Sequence, residues 1–190
     1  IKPFSVKTFK LKLSNSASTS SPTSPTSATS PTSATIPLPF DRHCATFNAF
    51  RGAADFEGGY SYAAELLPEG ELVVDDVTFR LGEKDAANGL ACRGNVISLP
   101  GAATAARRLH LLVASDEGDR HATFTLGRSQ QTVLVPFYSG FIGQWGHDGH
   151  TTGYLKDAEV AWVGSHRHSA DSDEPYEFTY MFRVVLDIPK

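Results

Sequence analysis

Residues 70–82 read GELVVDDVTFRLG, and this stretch carries the clearest fold signal in the chain. Leu72 and Val74 alternate with other residues before Asp75-Asp76, and apolar side chains alternate again after it. Alternation with a period of two is typical of a strand with one buried face. Asp-Asp is a weaker turn than Asp-Gly, but it is acceptable between two such runs. The stretch therefore predicts a β-hairpin.

Similar short runs recur at intervals of roughly ten residues, and turn residues separate them. The predicted strands are 90–99, 108–115, 121–127, 131–137, 158–164 and 177–187. Helical periodicity is almost absent, although 102–108 could form one turn of helix. This pattern predicts an all-β fold, a jelly-roll-like β-sandwich. The segment 177–187 is apolar on both faces, which favours a central strand covered on both sides.

The N-terminal quarter has a different composition. Residues 14–35 hold 9 Ser, 6 Thr and 3 Pro with no charge, so they predict a disordered linker. In residues 1–13, Phe9, Leu11 and Leu13 alternate with lysines, which indicates one further strand. A lone strand needs a sheet, and we expect it to be the last strand of a preceding β domain, an orphan within this chain. Residues 36–190 are then the sandwich. The absence of an initial Met agrees with a piece of a longer protein.

Composition excludes some partners and leaves others open. The 190 residues carry a formal net charge of −4, which argues against nucleic acid as a partner. The sequence has no run of 18 apolar residues, so no membrane span is predicted. Two cysteines, Cys44 and Cys92, allow one disulfide without requiring it, and they leave the compartment open. Motifs such as G-x-S-x-G, H-E-x-x-H and Walker A are missing, so we expect no catalytic residue in this chain.

The most unusual segment is YSGFIGQWGHDGHTTGY at 138–154, with five glycines among aromatic and polar residues. Such a composition favours a long shaped loop, and loops on rigid sandwiches often carry function. Aromatic rings beside hydrogen-bonding groups suit a sugar, so Tyr138, Gln144, Trp145 and His147 are candidate ligand-binding residues. The alternative is a loop that plugs one end of the sandwich. A His147-x-x-His150 pair lacks a third ligand, so no metal site is predicted.

A second candidate lies at Ser165-His166-Arg167-His168, directly after a predicted strand. His166 and His168 are candidate ligand contacts, because histidine and arginine at a strand end can bind anions or sugar hydroxyls. The alternative is a local hydrogen-bonded turn in which Arg167 pairs with the acidic run at 171–174.

Several stretches, in order, resemble the C-terminal region of glycoside hydrolase family 38 α-mannosidases of a microbial type with an extra C-terminal β domain. They are PFSVKTFKLKL (3–13), LPFDRH (38–43), YSYAAELLP (60–68), RLHLLVAS (108–115), SGFIGQW (139–145), AWVGSHRH (161–168) and EPYEFTYMFRVVLDIP (174–189). The resemblance implies a parent enzyme whose Asp nucleophile and Zn²⁺ lie in an N-terminal catalytic domain outside this chain. No cofactor is then expected in this chain.

Under this resemblance the chain is a non-catalytic accessory domain. Its partners would be the catalytic and β domains of the same parent chain, with possible contact to a mannose-containing glycan. Two other functions stay open. A tethered carbohydrate-binding module of another glycan-acting enzyme predicts an exposed ring at Trp145 or Tyr138. A purely structural interface domain predicts a broad apolar patch on one sheet face.

Overall fold

A computed structural model describes residues 34–99, 106–144, 146 and 152–189, together with the backbone of 8–13. Short 3-10 helices span Asn48–Ala53, Glu57–Gly59 and Ala64–Leu66. The strands in the described part are β1 (Thr8–Leu13), β2 (Ala45–Thr46), β3 (Ser61–Ala63), β4 (Glu71–Val74), β5 (Val77–Arg80), β6 (Val96–Leu99), β7 (Arg108–Val113), β8 (Arg120–Leu126), β9 (Ser129–Val135), β10 (Gly143–Gln144), β11 (Tyr154–Leu155), β12 (Glu159–His168) and β13 (Asp173–Asp187).

Two sheets form the sandwich. One has the order β6-β1-β8-β9, and the other has the order β2-β3-β12-β13-β7. Buried side chains from both sheets meet in the main core, among them Leu99 and Leu126 from the first sheet and Leu186 from the second. The all-β sandwich prediction is confirmed, because alternating apolar residues on both sheets face a shared interior.

The predicted hairpin at 70–82 is also confirmed. β4 and β5 pair antiparallel, with Val74 opposite Val77 across the two-residue turn. Asp75 and Asp76 both have positive φ, at 44° and 63°, which is the backbone of a type I′ turn. Arg183 on β13 reaches this turn, since its Nη2 lies 3.0 Å from Asp75 Oδ2. The hairpin therefore lies against the five-stranded sheet.

β13 occupies the interior of its sheet, as predicted, and pairs with β12 on one side and β7 on the other. The expectation that both its faces are covered is wrong. Phe182, Val184 and Leu186 are buried, whereas Val185 between them is 37% exposed. Cover is therefore incomplete along this strand, and Phe178 nearer its N-terminal end is also 43% exposed.

The orphan-strand expectation differs from the structure. β1 lies inside the four-stranded sheet and pairs in parallel with both β6 and β8, for example Leu11 with Ile97 and with Leu126. A strand needs backbone partners, and the body of this chain supplies them on both sides. The predicted linker falls mainly on 14–33, which lie outside the described residues, as does most of the predicted helical turn at 102–108.

A second apolar cluster lies away from the main core. Its buried members are Ala45, Tyr62, Ala64, Leu67 and Tyr138. Its rings meet edge to face: the Tyr138 centroid lies 4.8 Å from that of Phe56 and 5.4 Å from that of Tyr62. Such pairs add to the free energy gained from burial alone. This cluster fixes the end of β12, where the predicted histidines are found.

Candidate functional site

Tyr138 does not present an open ring. Its side chain is fully buried in the second cluster, and its hydroxyl donates a hydrogen bond of 2.5 Å to Glu57 Oε2. Burial, followed by the hydrogen bond to Glu57, raises the pKa of Tyr138, so the phenol remains a donor. A ring covered on all sides cannot stack on a sugar. Tyr138 therefore holds the base of the loop rather than a ligand.

Arg167 is engaged by protein groups. Its Nη1 lies 2.9 Å from Glu57 Oε2, and its Nε lies 2.7 Å from Glu174 Oε2. The guanidinium also covers the ring of Tyr60, at 3.8 Å from the centroid. These contacts match the turn alternative, in which Arg167 pairs with the acidic run at 171–174. The arrangement fastens the β12–β13 hairpin to the Glu57–Gly59 helix.

His166 and His168 lie on the opposite face of β12 from Arg167, since side chains alternate along a strand. Asp173 is the cross-strand partner of His168 and completes a group whose ligand atoms all lie within 4.8 Å of one another. His168 Nε2 lies 3.4 Å from Asp173 Oδ1 and 3.5 Å from Glu65 Oε2. His166 Nε2 lies 3.9 Å from Asp173 Oδ2. The structure thus brings both predicted histidines together with two carboxylates.

The charge of this cluster is also defined. Burial lowers the pKa of His168 below its usual 6.5, and the carboxylates of Glu65 and Asp173 only partly oppose this. Desolvation opposes ionisation of Asp173, but the hydrogen bond and charge of Arg51 outweigh it and lower the pKa of this carboxyl. At neutral pH, His168 is therefore a neutral imidazole beside the ionised carboxylate of Asp173.

The described residues at the two sides of the predicted loop line a shallow cleft. Gln144 on β10 pairs with Tyr154 on β11, and the two residues of each strand line a cleft of about 310 Å³. Tyr154 is 45% exposed and Leu155 is 79% exposed. Gln144 is thus placed beside a half-exposed aromatic ring. Trp145 and His147 lie outside the described residues.

Cys44 is not a reactive group. It carries a free thiol, so it is not joined to Cys92 by a disulfide. Burial raises the pKa of the Cys44 thiol to about 12, with a smaller contribution from the charge of Asp55. A thiol that stays protonated is a poor nucleophile.

Sequence reasoning missed Glu65 and Asp173. Glu65 lies about a hundred residues before the histidines, and only the fold brings it near them. The sequence held a signal for Asp173. His166 and His168 alternate, and a short turn and an acidic residue follow them. This pattern predicts a hairpin that places both histidines and the acidic side chain on one face.

A scan against protein families finds a match to the family described as AziU2-like beta-sandwich domain, over residues 32–190. Nothing in this match links the chain to glycoside hydrolase family 38, although a β-sandwich is compatible with that resemblance. The comparison with curated proteins finds no match. Among the described residues, no helix is both long and apolar enough to cross a membrane.

Proposed function

The chain belongs to the AziU2-like β-sandwich domain family, and we propose that it is a non-catalytic binding module that contacts a glycan through the cleft between β10 and β11. One observation carries this proposal. The amide of Gln144 stands beside the half-exposed ring of Tyr154 at a cleft of about 310 Å³.

These groups suit a sugar for separate reasons. The face of Tyr154 offers an apolar surface to the C–H face of a pyranose. The amide of Gln144 both donates and accepts hydrogen bonds, so it can pair with hydroxyl groups in either sense. The cleft volume lies at the small end of the range for ligand sites, which fits one or two sugar units rather than a long chain.

Calorimetric titration of the full chain with mannose and mannobiose tests the proposal. We expect saturable heat, and we expect Tyr154→Ala to weaken binding at least tenfold because the ring supplies the stacking surface. Tyr176→Ala is the matched control, since Tyr176 is 84% exposed and does not line the cleft. An equal loss in both variants, or no heat beyond dilution with either sugar, would contradict a glycan site at this cleft.

A second function is favoured by the exposure of Phe141 and Leu155, at 75% and 79%. Two large exposed apolar side chains, one just before β10 and one on β11, suit a protein interface. In this alternative the loop docks on other domains of a parent chain, such as the catalytic and β domains that the α-mannosidase resemblance implies. Any catalytic Zn²⁺ of that parent lies in those domains.

The alternative is tested by a double substitution, Phe141→Ser with Leu155→Ser. For an interface domain, we expect the variant to lose binding to the separately purified parent domains while its unfolding midpoint is kept. A glycan module instead predicts weaker sugar binding in the same variant, so the two measurements distinguish the functions.

A further inference from the structure

We propose that His166, His168 and Asp173 form a binding site for one Zn²⁺ ion at the end of the β12–β13 hairpin, with the carboxylate of Glu65 beside His168. This site is separate from the glycan cleft and does not depend on it. Imidazole nitrogen and carboxylate oxygen are the donors that Zn²⁺ takes in proteins alongside cysteine sulfur.

The spacing of the donor atoms matches such an ion. With Zn–N and Zn–O bonds of about 2.0–2.1 Å and tetrahedral angles, two ligand atoms lie about 3.3–3.4 Å apart. His168 Nε2 lies 3.4 Å from Asp173 Oδ1 and 3.5 Å from Glu65 Oε2. The His166–Asp173 separation of 3.9 Å is longer, and a small rotation of the partly exposed His166 ring shortens it. His168 Nε2 is thus at ligand spacing from both carboxylates, and the ligand atoms of His166, His168 and Asp173 all lie within 4.8 Å of one another.

His168 supplies an independent observation. Its side chain is fully buried, yet its Nε2 has no hydrogen-bond partner. A buried nitrogen without a partner costs free energy and needs an explanation. With the proton on Nδ1, the Nε2 lone pair is free to bind a cation, which Asp173 would share as a ligand and which the charge of Glu65 would attract.

The polar atoms of these side chains that do not face the ion make hydrogen bonds to the surrounding protein, as those of metal ligands commonly do. His168 Nδ1 lies 3.3 Å from Thr46 Oγ1, and His166 Nδ1 lies 3.1 Å from Ser165 Oγ. The backbone N–H of Asn48 donates to Glu65 Oε1 at 2.5 Å. Metal-binding histidines usually use their second ring nitrogen in this way, which fixes the ring and its tautomer.

Arg51 is the cation that already borders the site. It pairs with Asp173 Oδ1 and donates to Asn48 Oδ1. Glu65 and Asp173 carry two negative charges against the one positive charge of Arg51, so the cluster remains net negative and attracts a divalent ion. Arg51 then orients Asp173 from the outer shell, and it lowers the affinity below that of a site without a neighbouring cation.

The test is a calorimetric titration of the full chain, first stripped with a chelator, with Zn²⁺ alone. We expect one ion per chain. His166→Ala and Asp173→Asn change partly exposed side chains, so both variants should fold, which circular dichroism verifies. We expect each to weaken Zn²⁺ binding at least tenfold. His121→Ala, which removes an exposed histidine elsewhere, should leave the affinity unchanged.

A double variant, His147→Ala with His150→Ala, separates this site from the other histidine pair of the chain. The proposal requires that it bind Zn²⁺ like the unaltered chain. Loss of binding in that variant, equal affinity in His166→Ala and the unaltered chain, or no binding at all would each overturn the proposal. Co²⁺ gives a second readout, because the intense visible absorption of tetrahedral coordination should appear in the unaltered chain and be lost in His166→Ala.

Discussion

Gly164 on β12 has no room for a side chain, and replacing it by Ala should destabilise the sandwich. It is buried and faces Thr179 across the β12–β13 pair. A Cβ at this position would lie 2.4 Å from Trp162 Cη2 and 2.5 Å from Thr179 Oγ1. Both distances are far below van der Waals contact. Neither neighbour can withdraw freely, because the indole packs against the second apolar cluster and Thr179 is fully buried.

Two opposing effects set the size of the change. Overpacking a dense interior costs about 1–3 kcal/mol. Alanine is better than glycine in a strand by about 0.5–1 kcal/mol. The midpoints of these ranges leave an expected net loss in the free energy of unfolding of about 1 kcal/mol, which corresponds to a fall in Tm of roughly 2–4 °C for a chain of this size.

Urea unfolding of Gly164→Ala and of a matched variant, Gly52→Ala, measures this loss. A Cβ on Gly52 meets nothing within 4 Å, so its variant should stay within about 0.5 kcal/mol of the unaltered chain. Trp162→Phe removes the ring atoms nearest the new methyl group, so the double variant with Gly164→Ala should show a coupling of about 1 kcal/mol. If Gly164→Ala were as stable as the unaltered chain, the steric reasoning would be refuted.

Three further predictions concern charge and backbone conformation. Arg167→Met should lower the free energy of unfolding by about 2 kcal/mol. The loss is smaller than for a fully buried ion pair, because both carboxylate partners are partly exposed. An unchanged urea midpoint would count against this prediction. Asp76→Gly should raise the free energy of unfolding by about 0.5–1 kcal/mol, since φ is 63° there and glycine adopts that conformation without strain. A lower urea midpoint in the variant would contradict this. Desolvation opposes ionisation of Asp119, but hydrogen bonds from Lys156 and the Phe137 backbone lower its pKa below the usual 3.8. The stabilisation is present above that value and is lost as pH falls through the folded pKa. Asp119→Asn should therefore make the free energy of unfolding depend less steeply on pH below pH 5. Parallel pH profiles for the variant and the unaltered chain would refute this.

Period-two patterns were sufficient to predict most of the strands. The turn at Asp75-Asp76 and the strands β7, β8 and β9 fall within two residues of their predicted positions, because one buried face forces apolar alternation. Alternation does not specify which strand lies beside which. It therefore predicted a strand at β1 but not its place between β6 and β8.

The candidate site was predicted only in part, and the reason is again long-range packing. Tyr138 and Tyr154 belong to the same glycine-rich segment, and nothing local reveals that one is buried and the other half-exposed. Their difference depends on whether Phe56 and Tyr62 cover the ring, and these residues come from far earlier in the chain. Likewise, His166 and His168 were recognised as polar candidates, whereas their carboxylate partner Glu65 was not.

The position of β13 has a consequence for how the chain acquires its structure during synthesis. β13 joins β12 to β7 and also carries Val184 and Leu186 into the main core, yet it follows every other strand in the described part of the chain. A ribosome-bound chain that stops before residue 173 has β7 and β12 without the strand that connects them. Folding of the five-stranded sheet must therefore wait until β13 has been translated, and the earlier apolar strands depend on protection from aggregation until then.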